Sequence, residues 1–234
     1  MTTSARIIEV FSSIQGEGVY VGQPHLFVRF WNCNLACAYC DTDYKGPYQE
    51  YPLDRLLTEV QGLLSTEGPV HAISLTGGEP LLWWKFLREF LPPLKESGQQ
   101  IYLETNGTLP DALRQVLPWT DIIAMDIKPP SATRDRAVWE AHEIFLRTAA
   151  EAGKDLFVKV VVTKETLDEE LERAFGLVSS VDRRIPLVLQ PVTPWGTVRD
   201  QVEQEQLSRW QASARRHSAD VRVIPQVHRI LGVR

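Results

Sequence analysis

Cys33, Cys37 and Cys40 are the three cysteines of this 234-residue chain, and one stretch of eight residues holds them all: Cys33-Asn34-Leu35-Ala36-Cys37-Ala38-Tyr39-Cys40. Three residues separate the first pair and two separate the second. Thiols so spaced can turn toward one small inorganic centre. A closed structural zinc site takes four protein ligands. Three thiolates leave one metal position without a protein ligand, and an open position is where chemistry happens. A cubane iron–sulfur cluster held by three cysteines keeps one iron free for another molecule. Count and spacing favour this cluster. The alternatives are a zinc site completed by a distant histidine, or three unrelated buried thiols.

A triplet of this spacing, with the aromatic Tyr39 before its last cysteine, resembles the signature of the radical S-adenosylmethionine enzymes. The flanks narrow the resemblance. Phe11-Ser12-Ser13-Ile14-Gln15-Gly16-Glu17-Gly18 stands upstream, then Gly22, Pro24 and Phe27-Val28-Arg29, and Asp41-Thr42 follows Cys40. From Ile8 to Thr42 the chain resembles the 7-carboxy-7-deazaguanine synthases, although anaerobic activating enzymes share part of the pattern. The resemblance implies that Cys33, Cys37 and Cys40 hold a 4Fe-4S cluster and that S-adenosylmethionine chelates its open iron. It also implies that Tyr39 lies against the adenine, with Ala38 and Asp41 beside it on the cofactor. Thr76-Gly77-Gly78-Glu79-Pro80 resembles the superfamily's Gly-Gly-Glu motif. There Gly78 lets backbone approach the ligand. Glu79 would receive the methionine ammonium, directly or by holding the backbone. Asp126-Ile127-Lys128 stands where many relatives have Ser-Pro-Lys; the lysine is kept, and contact with the ribose is implied. Gln190-Pro191-Val192-Thr193 matches a Gln-Pro element near the adenine.

The implied substrate is 6-carboxy-5,6,7,8-tetrahydropterin, flat and anionic, with a guanine-like amide edge. Such a ligand needs one cation and several fixed donors and acceptors. Arg29, among the apolar Phe27, Val28 and Phe30, is the expected cation. Ile14, Gln15, Gly16 and Glu17 would line the substrate from their loop, with Thr76 and the terminal Arg234. Thr42 would bind Mg²⁺, a hard cation content with few protein ligands; read without the resemblance, Asp41-Thr42-Asp43 is a polar turn. The implied reaction is a radical ring contraction to 7-carboxy-7-deazaguanine with loss of ammonia. The reductant would be a flavodoxin or ferredoxin, and the enzyme a homodimer. Rival expectations are a glycyl-radical activating enzyme and a non-catalytic zinc or iron–sulfur module. His25, His71 and His228 read as structural histidines.

Bulk properties set the frame. Hydrophobic residues are 44% and charged residues 24% of the chain, ordinary values for a globular domain. Net charge is −5, so no basic field draws in nucleic acid. Met1 to Glu9 lacks the apolar core of a signal peptide, and no apolar run nears the ~20 residues that span a bilayer. Unpaired thiols suit the cytoplasm.

The elements alternate. Ile7–Phe11 and Leu26–Trp31 read as strands, the second delivering the cysteine loop. Leu53, Leu56, Leu57, Val60, Leu63 and Leu64 form one helical stripe behind Pro52. Strands are expected at Val70–Leu75, Gln100–Leu103, Asp121–Met125, Leu156–Val162, Ile185–Leu189 and Val221–Ile224. Helices are expected at Leu81–Leu91, stopped by Pro92 and Pro93, and at Arg136–Ala152, Leu167–Ser179 and Val202–His217. Strands alternating with helices pair in parallel with right-handed crossovers. About six units are too few for a closed eightfold barrel. The expected fold is therefore α/β, one domain spanning 1–234: an open, partial barrel of (β/α)6 type with an N-terminal extension and an extra C-terminal strand. A doubly wound flat sheet is the alternative. In either, the polar loops after the strands define a site at the strands' C-terminal ends.

Overall fold

The computed structural model describes residues 3–233, and a nine-stranded sheet runs through them. Two strands, β1 (Ser4–Ile14) and β2 (Pro24–Phe30), lead to β3 (Gln49–Pro52) and helix α1 (Leu53–Glu67). Then come β4 (Ala72–Gly77), α2 (Trp84–Glu96), β5 (Ile101–Thr105), α3 (Pro110–Val116), β6 (Ile122–Ile127), the short α4 (Pro130–Thr133) and α5 (Trp139–Glu151). The chain continues through β7 (Asp155–Val162), α6 (Asp168–Val181), β8 (Leu187–Pro191), α7 (Gln204–Ala214), β9 (Val221–Val223) and α8 (Val227–Leu231). The strand order is β3-β1-β2-β4-β5-β6-β7-β8-β9. β1 pairs antiparallel with β2 and β3, and every pairing from β2 to β9 is parallel. β3 and β9 stand at opposite edges, so the sheet is open.

Strand parity decides where the core sits. Leu26, Val28, Phe30, Ile73, Leu75, Ile101, Leu103, Ile123, Met125, Val158, Val160, Leu187 and Leu189 share one buried cluster with residues of α1, α2, α3, α5, α6 and α7. Side chains alternate along a strand, so these form one face. With those helices all packed on that face, the alternative of a doubly wound sheet, layered on both faces, is set aside. The other face carries Ala72, Tyr102, Ile122, Ala124, Phe157 and Val188, which form a smaller cluster with Val19, Tyr20 and Ile224. This is the inner face of a partial barrel, plugged at its lower end by residues 18–20. Gly18 permits the plug: at φ +69° its backbone is left-handed, and a Cβ there would stand 2.6 Å from the Phe157 ring.

The α1 stripe packs as expected, with Leu56 and Val60 buried and Leu53, Leu57, Leu63 and Leu64 against them. α2 differs from its expectation, for it continues through Pro92 and Pro93 to Glu96. An interior proline removes a hydrogen bond and crowds the carbonyl four residues back. Those carbonyls belong to Arg88 and Glu89, on the exposed side where water can serve them. Phe86, Leu87, Phe90, Leu91 and Leu94 are all buried. Their burial outweighs a proline cost of about 3 kcal/mol. α5 begins at Trp139, not Arg136, because Arg134 turns the chain with φ 54°. β3, α3, α4 and α8 have no counterpart in the expected elements. Each is short, and β3 forms because β1 offers it an antiparallel edge.

Candidate active site

The inner face repeats a two-layer pattern up six strands. Phe27 is followed by Arg29, Ser74 by Thr76, Tyr102 by Glu104, Ala124 by Asp126, Phe157 by Lys159, and Val188 by Gln190. Two residues on means the same face, so a lower layer that is apolar except for Ser74 carries a polar upper layer at the C-terminal ends. Register aligns the neighbours: Arg29 pairs with Thr76, and Asp126 with Lys159. All six polar residues line one cavity of about 540 Å³, within the range of small-molecule sites.

Cys33, Cys37 and Cys40 line the same cavity on the loop leaving β2. That loop is fixed by its backbone. The Ala36 amide donates to Asp135 at 2.7 Å, and the Ala38 amide to the Thr133 carbonyl at 2.8 Å. The Asn106 amide group donates to Cys33 Sγ at 3.7 Å, and His142 Nε2 donates to the Asn106 carbonyl at 3.0 Å. Gly78 makes room for the loop. A Cβ there would stand 1.8 Å from the Asn32 carbonyl oxygen, and one on Gly77 2.2 Å from that of Phe30.

The thiols form no disulfide. Burial pushes Cys33 up to about 11 and also raises Cys37 and Cys40, so a strong cation is needed to ionise them. Among the described residues, no group of three or more His, Cys, Asp or Glu converges on a single metal ion. Three thiols on one loop that line one cavity suit a cationic centre that takes three protein sulfurs and leaves one position for another molecule. A 4Fe-4S cluster fits these residues.

Beside the cysteines, Tyr39 packs with Ala132, Val161, Val192 and Val198. Lys128 Nζ lies 5.6 Å from its ring and 2.7 Å from Asp126 Oδ2. Burial opposes charge on Lys128, but the neighbouring Asp126 holds it protonated well above its usual range. Glu79 is fully buried behind the wall. Its carboxylate accepts from the Leu81 amide at 3.0 Å, Thr105 Oγ1 at 2.9 Å and the Asn106 amide at 2.8 Å. Of the two expected roles for Glu79, this geometry is the indirect one, holding backbone. Ile127 turns into the outer core and so does not line the cavity as expected. Neither do the side chains of Ala38, Pro191, Val192 and Thr193. Ala38 and Val192 pack around Tyr39, and the Thr193 amide donates to Gln226 Oε1 at 3.1 Å.

Ile14, Gln15, Gly16, Glu17, Arg29, Asp41, Thr42 and Thr76 all reach the cavity. Arg29 is paired: Nε lies 2.9 Å from Glu9 Oε1, with an Nη 3.4 Å from Thr42 Oγ1. Arg234 lies outside the described residues. The adjoining C-terminal segment forms a strap over the mouth. The Val227 amide donates to the Gly16 carbonyl at 2.9 Å. Arg229 donates to Asp41 Oδ2 at 2.8 Å, and its guanidinium sits 4.7 Å from the Trp195 ring. Burial disfavours the Asp41 charge, but His228 and Arg229 hold its carboxyl well below the usual range. His228, expected to be purely structural, also lines the cavity. His25 and His71 are structural as expected: His25 bonds Ser74 at 2.7 Å and His71 at 3.1 Å.

Among the described residues, three buried polar atoms of this wall lack a hydrogen-bond partner, Gln15 Nε2, Tyr39 Oη and Gln190 Oε1, and Asp126 Oδ1 has only an ion pair with Lys159 at 3.4 Å. Buried polar groups are ordinarily satisfied, so this concentration marks a surface built for a ligand. Sequence reasoning missed Glu104, Asn106, Lys159, Gln226 and Arg229. The signal for Glu104 and Lys159 was a charge at inward parity within an apolar strand.

Comparison with known proteins gives this frame its class. The family model described as the radical SAM superfamily matches residues 30–178, from the end of β2 through the cysteine loop into α6. The chain is a radical S-adenosylmethionine protein, and its cofactors are a 4Fe-4S cluster and S-adenosylmethionine. A 7-carboxy-7-deazaguanine synthase of Geobacter sulfurreducens is 40% identical, the match covering 97% of both chains. Another, from Methanothermobacter thermautotrophicus, is 35% identical over 98% of both. The chain therefore belongs to the 7-carboxy-7-deazaguanine synthase family. The crystal structure of QueE from Escherichia coli shares the fold, with a TM-score of 0.62 at 17% identity, covering 96% of this chain and 95% of that one. A radical SAM methyltransferase from Sphaerobacter thermophilus does so with a TM-score of 0.67 at 16% identity, covering 87% of this chain and 66% of that one. Family membership sets aside the activating-enzyme and zinc-module alternatives.

Proposed function

We propose that this chain is a carbon–nitrogen lyase that contracts the ring of 6-carboxy-5,6,7,8-tetrahydropterin to 7-carboxy-7-deazaguanine with loss of ammonia, a step toward the deazaguanine bases of tRNA. The observation that carries the reading is the meeting, in one cavity, of the three thiols with the Gln15 loop, Arg29, Thr42 and Thr76. Cys33, Cys37 and Cys40 would hold the cluster, which with S-adenosylmethionine supplies a carbon-centred radical able to take hydrogen from C6 of the pterin.

The chain's own residues bind and orient. Tyr39, Gly78, Lys128 and Gln190 form the cofactor wall. Glu79, Ala38 and the residues from Pro191 to Thr193 support it from behind. Arg29, held by Glu9, offers the cation for the substrate carboxylate. Thr42, 3.4 Å from that cation, offers a hydroxyl to a Mg²⁺ ion shared with substrate oxygens. Gln15, Glu17 and Thr76 offer donors and acceptors to the amide edge. The strap from Gln226 to Arg229 excludes water from the mouth.

The whole chain would work as one domain, in the cytoplasm, drawing electrons from a flavodoxin or ferredoxin. Among the described residues no helix is long and apolar enough to cross a membrane. Ile230 and Leu231, 69% and 56% exposed, favour a homodimer that covers them. The test is anaerobic turnover of the carboxypterin with reductant, S-adenosylmethionine and Mg²⁺. The deazaguanine should appear, and faster with Mg²⁺ than without. No product from protein with a full complement of iron would overturn the reading.

A further inference from the structure

Lys159 is the sole charge between Leu156 and Val162 of β7, and it is 3% exposed. A buried ammonium is costly unless partners compensate it. Here three carboxylates from three different elements do so. Lys159 Nζ contacts Glu17, lies 2.9 Å from Glu104 Oε1, and 3.4 Å from Asp126 Oδ1. Each carboxylate has a second partner. Gln226 Nε2 donates to Glu17 at 3.1 Å, Thr76 Oγ1 to Glu104 at 3.3 Å, and Lys128 Nζ to Asp126 at 2.7 Å. All four charged residues line the cavity, three of them in its polar layer and Glu17 on the loop after β1.

We infer that Lys159 is a positioning residue for substrate recognition: its one charge keeps Glu17 ionised and holds Glu17 and Glu104 side by side as paired acceptors for a ligand edge that presents N–H donors. The inference rests on the proposed function, whose pterin has such an edge. The physical reason is charge balance. Carboxylates brought to one point without a cation repel and retain a proton, and a protonated carboxyl donates where the ligand needs an acceptor. Burial opposes the Glu17 charge, and the contact with Lys159 more than offsets it, holding the carboxyl below its usual range. The same contact ties the Gln15 loop to the sheet. Lys159 is too firmly protonated to serve as an acid, since Asp126, Glu104 and Glu17 together outweigh its burial. The other charged or titratable groups around the cluster are Lys128, Tyr102 and Asp41.

The test compares wild type, Lys159→Met, Lys159→Arg and the double variant Lys159→Met with Glu17→Gln, each loaded with iron and assayed with 6-carboxy-tetrahydropterin from pH 6 to pH 8.5. Lys159→Met should raise KM about tenfold or more, with a smaller change in kcat. Its KM should fall as pH rises, as Glu17, no longer held ionised by the ammonium, loses its extra proton, whereas the wild-type KM stays level. Lys159→Arg should restore most of the affinity. A wild-type KM that is level with pH in Lys159→Met overturns the inference, as does Lys159→Arg behaving no better than Met. Should Lys159→Met fail to fold, the double variant, with one carboxylate fewer, decides: a wild-type KM there also overturns it. Absence of product from wild type itself would count against the proposed function, so the two failures are distinct.

Discussion

Glu79 shows how one residue can serve a site without touching it. The motif suggests a ligand for the methionine ammonium, yet the carboxylate is enclosed and occupied by three protein donors. It joins the turn after β4 to the end of β5, and Asn106 next to it reaches Cys33. Burial pushes its carboxyl up to about 7 against the pull of those donors. The folded state therefore binds this proton more tightly than the unfolded chain. Its contribution is present in full below about pH 4.5 and is lost as pH rises toward 7. Glu79→Gln should lower stability by about 1–3 kcal/mol, because an amide nitrogen must then face a backbone N–H. The gap to wild type should narrow between pH 4.5 and 7 and then stay level, as measured by thermal melting across pH. A gap that widens with pH would sink this account.

Among the elements, α2 and the turn after β4 carry the clearest consequences. In α2, helix propensity yields to packing: five buried apolar residues keep the chain helical across two prolines. Pro92→Ala should stabilise the protein by about 1–2 kcal/mol, the restored hydrogen bond and relieved crowding being partly offset by a more flexible unfolded chain. Denaturant titration reads this directly, and a loss of stability would contradict it. The Gly77-Gly78 turn obeys the opposite logic, since its constraint is contact with backbone that cannot move aside. Gly78→Ala should push the cysteine loop from its seat, so that the variant, though folded by circular dichroism, binds markedly less iron on reconstitution.

At the scale of the molecule, function follows from a sheet that stays open and a lower end that is closed. The helices α1, α2, α3, α5, α6 and α7 cover the outer face and leave the inner face free to hold ligands. Phe157, Tyr102 and Tyr20, with His25 and His71 beside them, fill the base and support the polar layer above. Phe157→Ala should cost about 3–5 kcal/mol and free the Gln15 loop, whose Gly18 rests on that ring. Hydrogen exchange should then quicken from residue 15 to residue 23 more than in α1. Equal change in both would mean global loosening and not loss of the plug.

Some of this was fixed by local chemistry that any reader of the chain could see. Cysteine spacing, the Gly-Gly-Glu turn, the leucine stripe of α1 and the alternation of strands with helices are properties of neighbours in sequence. They were enough for the partial barrel and the cluster, and the family resemblance built on them and their flanks implied S-adenosylmethionine and about half of the cavity wall. Other features depend on residues far apart in the chain and were settled only by folding. Whether Ile127 faces the cavity or the core is a matter of strand parity, and one residue either way reverses it. The company of Lys159 comes from positions 17, 104 and 126, which no local pattern connects. The strap of Gln226, His228 and Arg229 finds Asp41 across more than 180 residues of chain. Charges of that kind acquire their meaning from the burial and the partners that the assembled sheet supplies.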